Sequence, residues 1–391
     1  MHIHPPITKT DDLAAFIERL ARSPFVAVDT EFMRENSYWP ELCLVQIGNE
    51  EEAAAVDPKS GELDLGPLLD LLVANEDVLK VFHAGSQDVE IVYNLTGETP
   101  HPLFDTQIAA MALGLGDQIG YSNLVESMLG QSIDKGARFT DWRRRPLDRR
   151  QLEYAIADVT YLAQIFPRML DKLKESGRGD WLDEEMEQLA DPANYTNDPS
   201  EAWRRIRIGS RKPEVLGRLK ALAAWREREA RTKNLPRGRI VKDETLADIA
   251  AHPPADQEAL GKVRGLSAAW KSNDIGGRLI GALAEAEPLP PAEMPPRAKG
   301  RPGLGKEGAL VADLLKLLLK IRARESGVAA RLIARTEELE ALAAGKRGDL
   351  PILSGWRYEE FGRDALDLVE GRLAFAVREG RLEMTREAFG A

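Results

Sequence analysis

Two kinds of pattern alternate along the first 200 residues, and this alternation constrains the fold more than any other feature of the chain. Short apolar runs typical of strands lie at 25–28, 42–48, 53–57 and 79–83. Stretches with helical periodicity lie between and after them, at 65–73, 88–95, 106–113, 121–129 and 148–173. Strands that alternate with helices predict an α/β domain with a mixed sheet. Turn residues cluster at 194–199, so we expect this domain to span residues 1–198.

From Glu201 onward the sequence shows helical patterns and no strand pattern. The predicted helices lie at 203–208, 213–233, 243–251, 256–263, 310–325, 336–342, 359–368 and 371–377. A stretch at 286–306 is rich in proline and poor in core residues, which predicts a linker. We therefore expect two small all-α helical-bundle domains, at 199–285 and 307–391, joined by this linker.

Charge is distributed unevenly along the chain. The net charge of −11 hides a value of −19 for residues 1–200, +8 for residues 201–280 and zero for the remainder. A basic module beside an acidic domain is a plausible phosphate-binding surface. The alternative is that the same basic side chains form an ordinary solvated surface, and charge alone leaves both interpretations open.

Several broad classes of protein are disfavoured by simple counts. The single cysteine, Cys43, rules out a disulfide framework and lies in an apolar run, where we interpret it as a buried side chain. There is no run of about 18 or more apolar residues, so we expect no membrane span. The first residues, Met1 to Pro6, lack the pattern of a signal peptide. We expect a cytoplasmic protein.

The first apolar run ends in a pair of acids, Asp29 and Glu31, within Val28-Asp29-Thr30-Glu31-Phe32. Residues two apart on a strand point to the same face, so both carboxylates project together. Two like charges on one face repel each other, and a divalent cation with oxygen ligands relieves that repulsion. The alternative is a pair of solvent-facing acids on an edge strand.

Further acids follow at positions where ligands are commonly bound. Asp88 lies in the first turn of a helix after a buried strand, at the rim of the predicted sheet. An acid that opens a helix is also favoured by the helix dipole alone. Tyr154 and Asp158 are four residues apart, which places them on one helix face. We interpret His83 as a turn histidine and leave it out of the metal site.

Taken in order, these motifs are more specific than any one of them. Asp-x-Glu on a strand, His-Ala-x3-Asp at a strand-to-helix turn and Tyr-x3-Asp on a late helix resemble the 3′→5′ exonuclease family that is named for four acidic residues and a tyrosine. Within it, the chain is similar to the ribonuclease D family, and Phe104-Asp105-Thr106 and Gln151-Leu152-Glu153-Tyr154 extend that resemblance.

The resemblance implies a fold, a metal centre and a reaction. It implies an RNase H-like mixed sheet with flanking helices, and two Mg²⁺ or Mn²⁺ ions held by Asp29, Glu31, Asp88 and Asp158. Tyr154 would orient the attacking water. The activity would be hydrolysis of RNA from a single-stranded 3′ end to 5′-mononucleotides, in the maturation of tRNA precursors and other small stable RNAs. Neither a membrane nor an obligate protein partner is implied.

The helical half of the chain carries a second resemblance. Trp225-Arg226-Glu227-x2-Ala230, followed by Asn234-Leu235-Pro236, resembles the helical domain shared by RecQ-type helicases and the ribonuclease D family. The last segment, with Ile321-Arg322-Ala323-Arg324 and Gly355-Trp356-Arg357, is similar to a second, divergent copy of that domain. This copy lacks the Trp…Asn-x-Pro pattern.

A run of arginines precedes Tyr154 and is a candidate for contacts with RNA phosphates. Its members are Arg143, Arg144, Arg145, Arg149 and Arg150. The alternative is the solvated start of a helix. Trp142 either stacks on a base or packs in the core, and we favour the core.

Two rival functions share much of this pattern. A 3′→5′ DNA exonuclease has the same acids, because contacts to the 2′-hydroxyl leave no short motif. A degenerate, non-catalytic domain that only displays the basic helical module is the other alternative. The presence of all four acids and of the tyrosine argues against it.

Overall fold

A mixed sheet forms the centre of the first domain in the computed structural model, which describes residues 1–133, 136, 140–295 and 305–386. Within those residues the sheet has six strands in the order β1-β4-β3-β2-β5-β6. The strands are β1 (His2–Ile3), β2 (Phe25–Met33), β3 (Glu41–Gly48), β4 (Glu52–Val56), β5 (Leu79–Phe82) and β6 (Leu103–Asp105). The pairs β2·β3 and β3·β4 are antiparallel, and the other pairs are parallel. The predicted mixed α/β fold is confirmed.

Helices cover both faces of this sheet. They are α1 (Thr10–Leu20), α2 (Gly66–Val73), α3 (Ser86–Thr96), α4 (Thr106–Ala112), α5 (Tyr121–Leu129), α6 (Arg149–Glu175) and α7 (Asp183–Ala190). One core joins Val26 and Val28 to the apolar sides of α1, α2 and α3. On the opposite face, α4, α5 and α6 pack over Ala27 and Val81. Successive side chains of β2 therefore pack into the cores on opposite faces of the sheet, because side chains alternate between the two faces along a strand.

Strand β2 extends beyond its parallel neighbour. Its pairing with β5 covers only Phe25–Ala27, whereas its antiparallel pairing with β3 continues to Met33. The register of the antiparallel pair shifts between Glu31 and Phe32, which is a β-bulge. Bulges bend a strand and re-aim its side chains. The outer half of β2 is thus left open on the β5 side, where the turn into α3 approaches it.

The first helical module follows the exonuclease-like domain. Its helices are α8 (Pro213–Lys233), α9 (Arg237–Ile240), α10 (Asp243–Ala251) and α11 (Asp274–Ala284), with 3-10 turns at Pro199–Arg205, Glu258–Lys262 and Ala268–Lys271. The helices predicted at 203–208 and 256–263 are therefore short 3-10 turns. Buried Trp203, Trp225 and Trp270 contribute to its core.

The predicted linker begins inside this module. Leu289 is only 3% exposed, and its backbone N–H donates to Pro213 O at 2.9 Å. The absence of a Cβ at Gly217 lets the carbonyl of Glu287 approach α8 closely. Residues 287–289 therefore pack onto α8 despite the flanking prolines. The rest of the proline-rich stretch falls partly on residues 296–304, which lie outside the described residues.

The second module contains a β-hairpin as well as helices, which corrects one prediction. Its helices are α12 (Lys306–Ser326), α13 (Ala330–Ile333), α14 (Thr336–Ala343), α15 (Gly355–Arg357) and α16 (Arg363–Val369), with a π-helical turn at Tyr358–Gly362. The helix predicted at 371–377 is wrong, because β7 (Ala374–Arg378) pairs with β8 (Arg381–Thr385). Large apolar residues alternate with alanine from Leu373 to Val377, and Glu379 and Gly380 both have positive φ, as a tight hairpin turn requires.

This second module shares a core with the first domain. Leu315 and Leu332 belong to the same buried cluster as Phe166 on α6. The backbone N–H of Ala329 donates to Met111 O at 2.9 Å. The rings of Trp181 and Trp356 stack at 4.2 Å with an angle of 3° between their planes. The attachment also includes ion pairs, since Arg357 pairs with Glu184 and Glu185 of α7.

The longest helices carry charged residues along their length. Helix α6 has 27 residues, and α8 and α12 have 21 each. None of the helices in the described ranges combines the length and apolar character needed to cross a membrane.

Candidate active site

Three carboxylates converge where α6 crosses the outer half of β2. Among the residues that the structure describes, Asp29, Glu31 and Asp158 each offer one oxygen within 4.8 Å of the other two. Asp29 and Glu31 share a face of β2 because they are two residues apart. Asp158 reaches them from α6. Carboxylate oxygens at such spacing suit a hard divalent cation such as Mg²⁺ or Mn²⁺.

Asp88 lines the same cleft but lies outside this group of three. It is in the first turn of α3 and is 7% exposed. The hydroxyl of Thr30, which lies between the two acids of β2, donates a hydrogen bond to Asp88 Oδ1. The structure thus brings the predicted fourth acid to the side of β2 that β5 leaves open, adjacent to the other three.

The electrostatics of the cleft disfavour its full negative charge in the absence of a cation. Burial raises the pKa of Asp29 well above its ordinary value, and repulsion from Asp158 raises it further. Burial also raises the pKa of Asp88, with a further contribution from Asp29. A cation would favour the ionised forms of both acids. These acids therefore fit a metal centre in their chemistry as well as in their position.

Tyr154 lies on α6 one turn before Asp158 and lines the same cleft. Its ring is 6.3 Å from that of Trp142, measured between centroids. The cleft has a volume of about 530 Å³, enough to admit a terminal nucleotide. Uncharged polar side chains complete its wall, and they are Gln87, Gln107, Ser122 and Asn123.

A tight turn between β5 and α3 positions Asp88. Ala84 has a φ of 56°, a left-handed conformation that costs a residue with a Cβ about 1 kcal/mol. A Cβ on Gly85 would lie 2.5 Å from the Cβ of Phe82, so this position requires glycine. Asp105 accepts hydrogen bonds from Ala84 N at 3.2 Å and from Gly85 N at 2.8 Å. The buried carboxylate of Asp105 thus holds the turn that presents Asp88.

His83 and Tyr121 support the cleft, and the sequence analysis overlooked Tyr121. His83 Nδ1 lies 3.0 Å from Thr106 Oγ1, and Nε2 lies 3.1 Å from the carbonyl oxygen of Ile119. His83 lies outside the group of three acids that could hold a metal ion in the described part of the chain. The hydroxyl of Tyr121 donates to the carbonyl of Asp158, which fixes α6 at the turn that carries this acid. No local pattern marks Tyr121, because its partner is 37 residues away.

The five arginines before Tyr154 have different surroundings. Arg143 pairs with Asp141 at 3.0 Å, and Arg149 pairs with Glu153 at 2.6 Å. Arg145 pairs with Asp57 at 2.6 Å and also donates to the carbonyl of Cys43.

The other two arginines are exposed, as Arg143 and Arg149 are. Arg150 lines a small cavity of about 140 Å³ beside Tyr154, and Arg144 is exposed. Trp142 is 2% exposed, so the prediction that it packs in the core is confirmed. Cys43 is likewise buried, as expected.

Comparison with known families agrees with this geometry. Residues 5–174 match the 3′-5′ exonuclease family, and residues 215–283 match the HRDC domain. Ribonuclease D of Sphingobium indicum is 73% identical over 386 residues, covering 99% of this chain and 100% of the relative. Ribonuclease D of Zymomonas mobilis is 62% identical over 385 residues, covering 98% of this chain and 99% of the relative.

A solved structure is similar over nearly the whole chain. It is the crystal structure of Escherichia coli RNase D, an exoribonuclease involved in structured RNA processing. The TM-score is 0.77 at 29% sequence identity, and the match covers 94% of this chain and 99% of that one. The likeness therefore includes both helical modules as well as the domain that carries the acids.

Proposed function

This chain belongs to the ribonuclease D family and is a metal-dependent 3′→5′ exoribonuclease, and we propose that four of its acids hold two divalent cations. The proposed ligands are Asp29, Glu31, Asp88 and Asp158, and the proposed ions are Mg²⁺ or Mn²⁺. The observation that carries the proposal is the convergence of three carboxylate oxygens within 4.8 Å of one another. The position of Asp88 beside Thr30 supports its role as the fourth ligand.

The residues of the cleft would hold and orient the reactants. Bound cations would activate a water molecule and stabilise the charge that develops on the departing 3′ oxygen. Tyr154 would donate a hydrogen bond that orients the attacking water, which needs no ionisation of its hydroxyl. Tyr121 would keep Asp158 in place through its bond to the backbone of α6. The product of each turnover would be a 5′-mononucleotide.

We propose that the substrates are RNAs with single-stranded 3′ ends, including tRNA precursors and other small stable RNAs. Arg144 and Arg150 are candidates for contacts with phosphates upstream of the cleft, because both are exposed and Arg150 lies beside Tyr154. Arg143 and Arg149 would contact phosphates only by exchanging Asp141 and Glu153 for them. We leave Arg145 out because Asp57 and Cys43 already engage its guanidinium.

The lone buried Cys43 is compatible with a reducing compartment, and we propose the cytoplasm.

A labelled RNA substrate tests direction, metal requirement and product in one assay. We expect 5′-labelled single-stranded RNA to shorten one nucleotide at a time from its 3′ end when Mg²⁺ or Mn²⁺ is present. We expect no cleavage in EDTA. Shortening from the 5′ end, or cleavage that is unaffected by EDTA, would contradict the proposal. DNA of the same sequence in a parallel reaction measures the preference for ribose.

A further inference from the structure

The segment between β2 and β3 inserts two aromatic residues into the first helical module. Tyr38 is 7% exposed and belongs to the core of that module, and Trp39 packs against the same core. Their rings lie 4.7 Å apart in an edge-to-face arrangement. The guanidinium of Arg237 lies 4.7 Å from the ring of Tyr38, in the range of cation–π contacts. This segment therefore docks on the helical module with both apolar and polar contacts.

The polar part of this contact centres on Glu227, which is 1% exposed. The hydroxyl of Tyr38 donates to Glu227 Oε1. Arg237 donates to both oxygens of Glu227 at 2.6 Å. Arg231 donates to the hydroxyl of Tyr38 at 3.0 Å. A buried carboxylate is thus neutralised by arginines of its own module and bonded by a tyrosine of the exonuclease domain.

Asn234 supplies the second polar contact. Its Oδ1 accepts hydrogen bonds from the backbone N–H groups of Tyr38 and Trp39, both at 3.1 Å. Asn234 also ends α8 in the left-handed conformation, with a φ of 47°. Glycine is the residue that most often ends helices in this way, and asparagine is second to it. The asparagine side chain is needed here for docking and not for the helix end.

We propose that the surface formed by Glu227, Asn234 and Arg237 is a docking site for the Tyr38–Trp39 segment, and that RNA does not contact it. Glu227 and Asn234 belong to the Trp-Arg-Glu…Asn-Leu-Pro pattern that the helical module shows in its sequence. In this chain, two residues of that pattern hold the segment that follows β2. RNA phosphates must contact other basic residues of the module, because Arg237 and Arg231 are engaged by Glu227 and Tyr38.

The docked segment is continuous with the catalytic strand, which gives the contact a consequence for the cleft. It begins three residues after Glu31, and Arg34 within it pairs with Glu90 of α3, the helix that carries Asp88. Docking thus holds the helical module against the segment that leads out of the acid-bearing strand. This inference does not depend on which residues hold the metal ions.

Asn234→Gly separates docking from the stability of the module. The substitution keeps the left-handed helix end and removes the acceptor for Tyr38 and Trp39. We expect backbone hydrogen exchange in residues 34–40 of the full-length protein to accelerate about tenfold or more, since two hydrogen bonds are lost. Exchange in the middle of α8 should not change. Tyr93→Phe is a matched control, because it removes a hydroxyl that contacts Thr196 and not this surface.

Glu227→Gln distinguishes the two roles of this surface, because docking and RNA contact predict opposite changes in hydrogen exchange and in RNA binding. If the surface docks Tyr38, exchange in residues 34–40 accelerates, and binding of a labelled single-stranded RNA is unchanged or weaker. This binding is measured in EDTA with Asp158→Asn as background, so that no cleavage occurs. If RNA contacts the surface, removal of a negative charge tightens RNA binding and leaves exchange unchanged. Tighter RNA binding, or unchanged exchange in both Asn234→Gly and Glu227→Gln, would overturn the proposal.

Discussion

Strand β2 carries two acids of the cleft, and the segment that follows it contacts Glu227 of α8, but the charges of these two acidic sites are handled in opposite ways. In the cleft, burial and the charge of Asp158 raise the pKa of Asp29. At the docking site, burial alone would also favour the neutral form of Glu227. Hydrogen bonds from Arg237 and Tyr38 outweigh that effect, so the pKa of Glu227 lies below its ordinary value.

The difference separates a functional acid cluster from a structural one. A carboxylate that is neutralised by arginines of the same chain needs nothing from solution. Carboxylates that raise one another's pKa are stable in their ionised form only when a cation from solution joins them. The two sites therefore differ in the source of the positive charge, which is the protein itself at Glu227 and, as proposed, a bound cation at Asp29.

The largest expected effect is on catalysis, in Asp158→Ala. This substitution removes one of the three converging carboxylates, and we expect the rate of RNA hydrolysis to fall about 10³-fold or more. The fold should persist, because Asp158 lies at the rim of the core and the change relieves repulsion with Asp29. Steady-state hydrolysis of labelled RNA in Mg²⁺ measures the loss.

Asp171→Ala is the control for that variant, because Asp171 lies on the exposed side of the same helix. It should hydrolyse RNA at the rate of the unmodified enzyme. Near-normal turnover by Asp158→Ala would contradict the assignment of the metal ligands.

The next largest effect is on the free energy of unfolding, at the docking site around Glu227. Glu227→Ala leaves Arg237 and the hydroxyl of Tyr38 without their acceptor, and breaking a buried ion pair in this way costs about 3 kcal/mol of unfolding free energy. Urea denaturation in EDTA measures it. Glu229, which pairs with Arg278 near the surface, offers a comparison, since Glu229→Ala should cost less than about 1 kcal/mol. Equal losses of unfolding free energy in the two variants would show that Glu227 contributes no more to stability than a surface ion pair does.

A smaller effect is expected where Asp105 holds the turn before Asp88. Asp105→Asn places a donor against the N–H of Gly85, and we expect catalytic efficiency to fall about tenfold as Asp88 shifts. The Mn²⁺ concentration that gives half-maximal activity should rise. Ala84→Gly in the same chain removes the strain of the left-handed residue and should restore part of the activity. A variant that loses stability and keeps the normal Mn²⁺ requirement would show that Asp105 is only structural.

The smallest effect is expected on the stability of the metal-free protein, at the acids of the cleft. Asp29→Asn should raise the unfolding free energy in EDTA at neutral pH by about 1 kcal/mol, because it removes a buried, repelled carboxylate. The folded-state pKa of Asp29 is raised, so the folded protein holds this proton at a pH where the unfolded chain has lost it. The advantage of the variant should therefore shrink as pH falls through the raised pKa.

Urea denaturation in EDTA across a pH series measures that change. An advantage for Asp29→Asn that grows on acidification would show that Asp29 is ionised and favourably paired. In that case Asp29 and Glu227 would both be neutralised by groups of the protein.

Much of the cleft could be predicted from local patterns. The shared face of Asp29 and Glu31 follows from the period of a strand, and that of Tyr154 and Asp158 follows from the period of a helix. The bond from Thr30 to Asp88 spans 58 residues, and the one from Tyr38 to Asn234 spans 196. Such contacts depend on how whole elements pack, so no short pattern predicts them.

The hairpin at 374–385 was missed for a different reason. The run from Leu373 to Val377 is apolar at every position, so it lacks the alternation of apolar and polar residues that predicts a half-buried strand. Glu379 and Gly380 form the turn and both have positive φ in the structure, but Glu-Gly is not one of the dipeptides that predict a hairpin from sequence.

Calorimetric titration of Mn²⁺ into the metal-free, full-length enzyme tests the central claim most directly. If the four acids of the cleft form the metal centre, we expect about two Mn²⁺ ions to bind per chain at neutral pH and protons to be released as they bind. Binding should weaken as pH falls, and Asp158→Asn should lose at least one site. Failure of the unmodified enzyme to bind Mn²⁺, or identical binding by Asp158→Asn, would contradict the claim that these carboxylates form the metal centre.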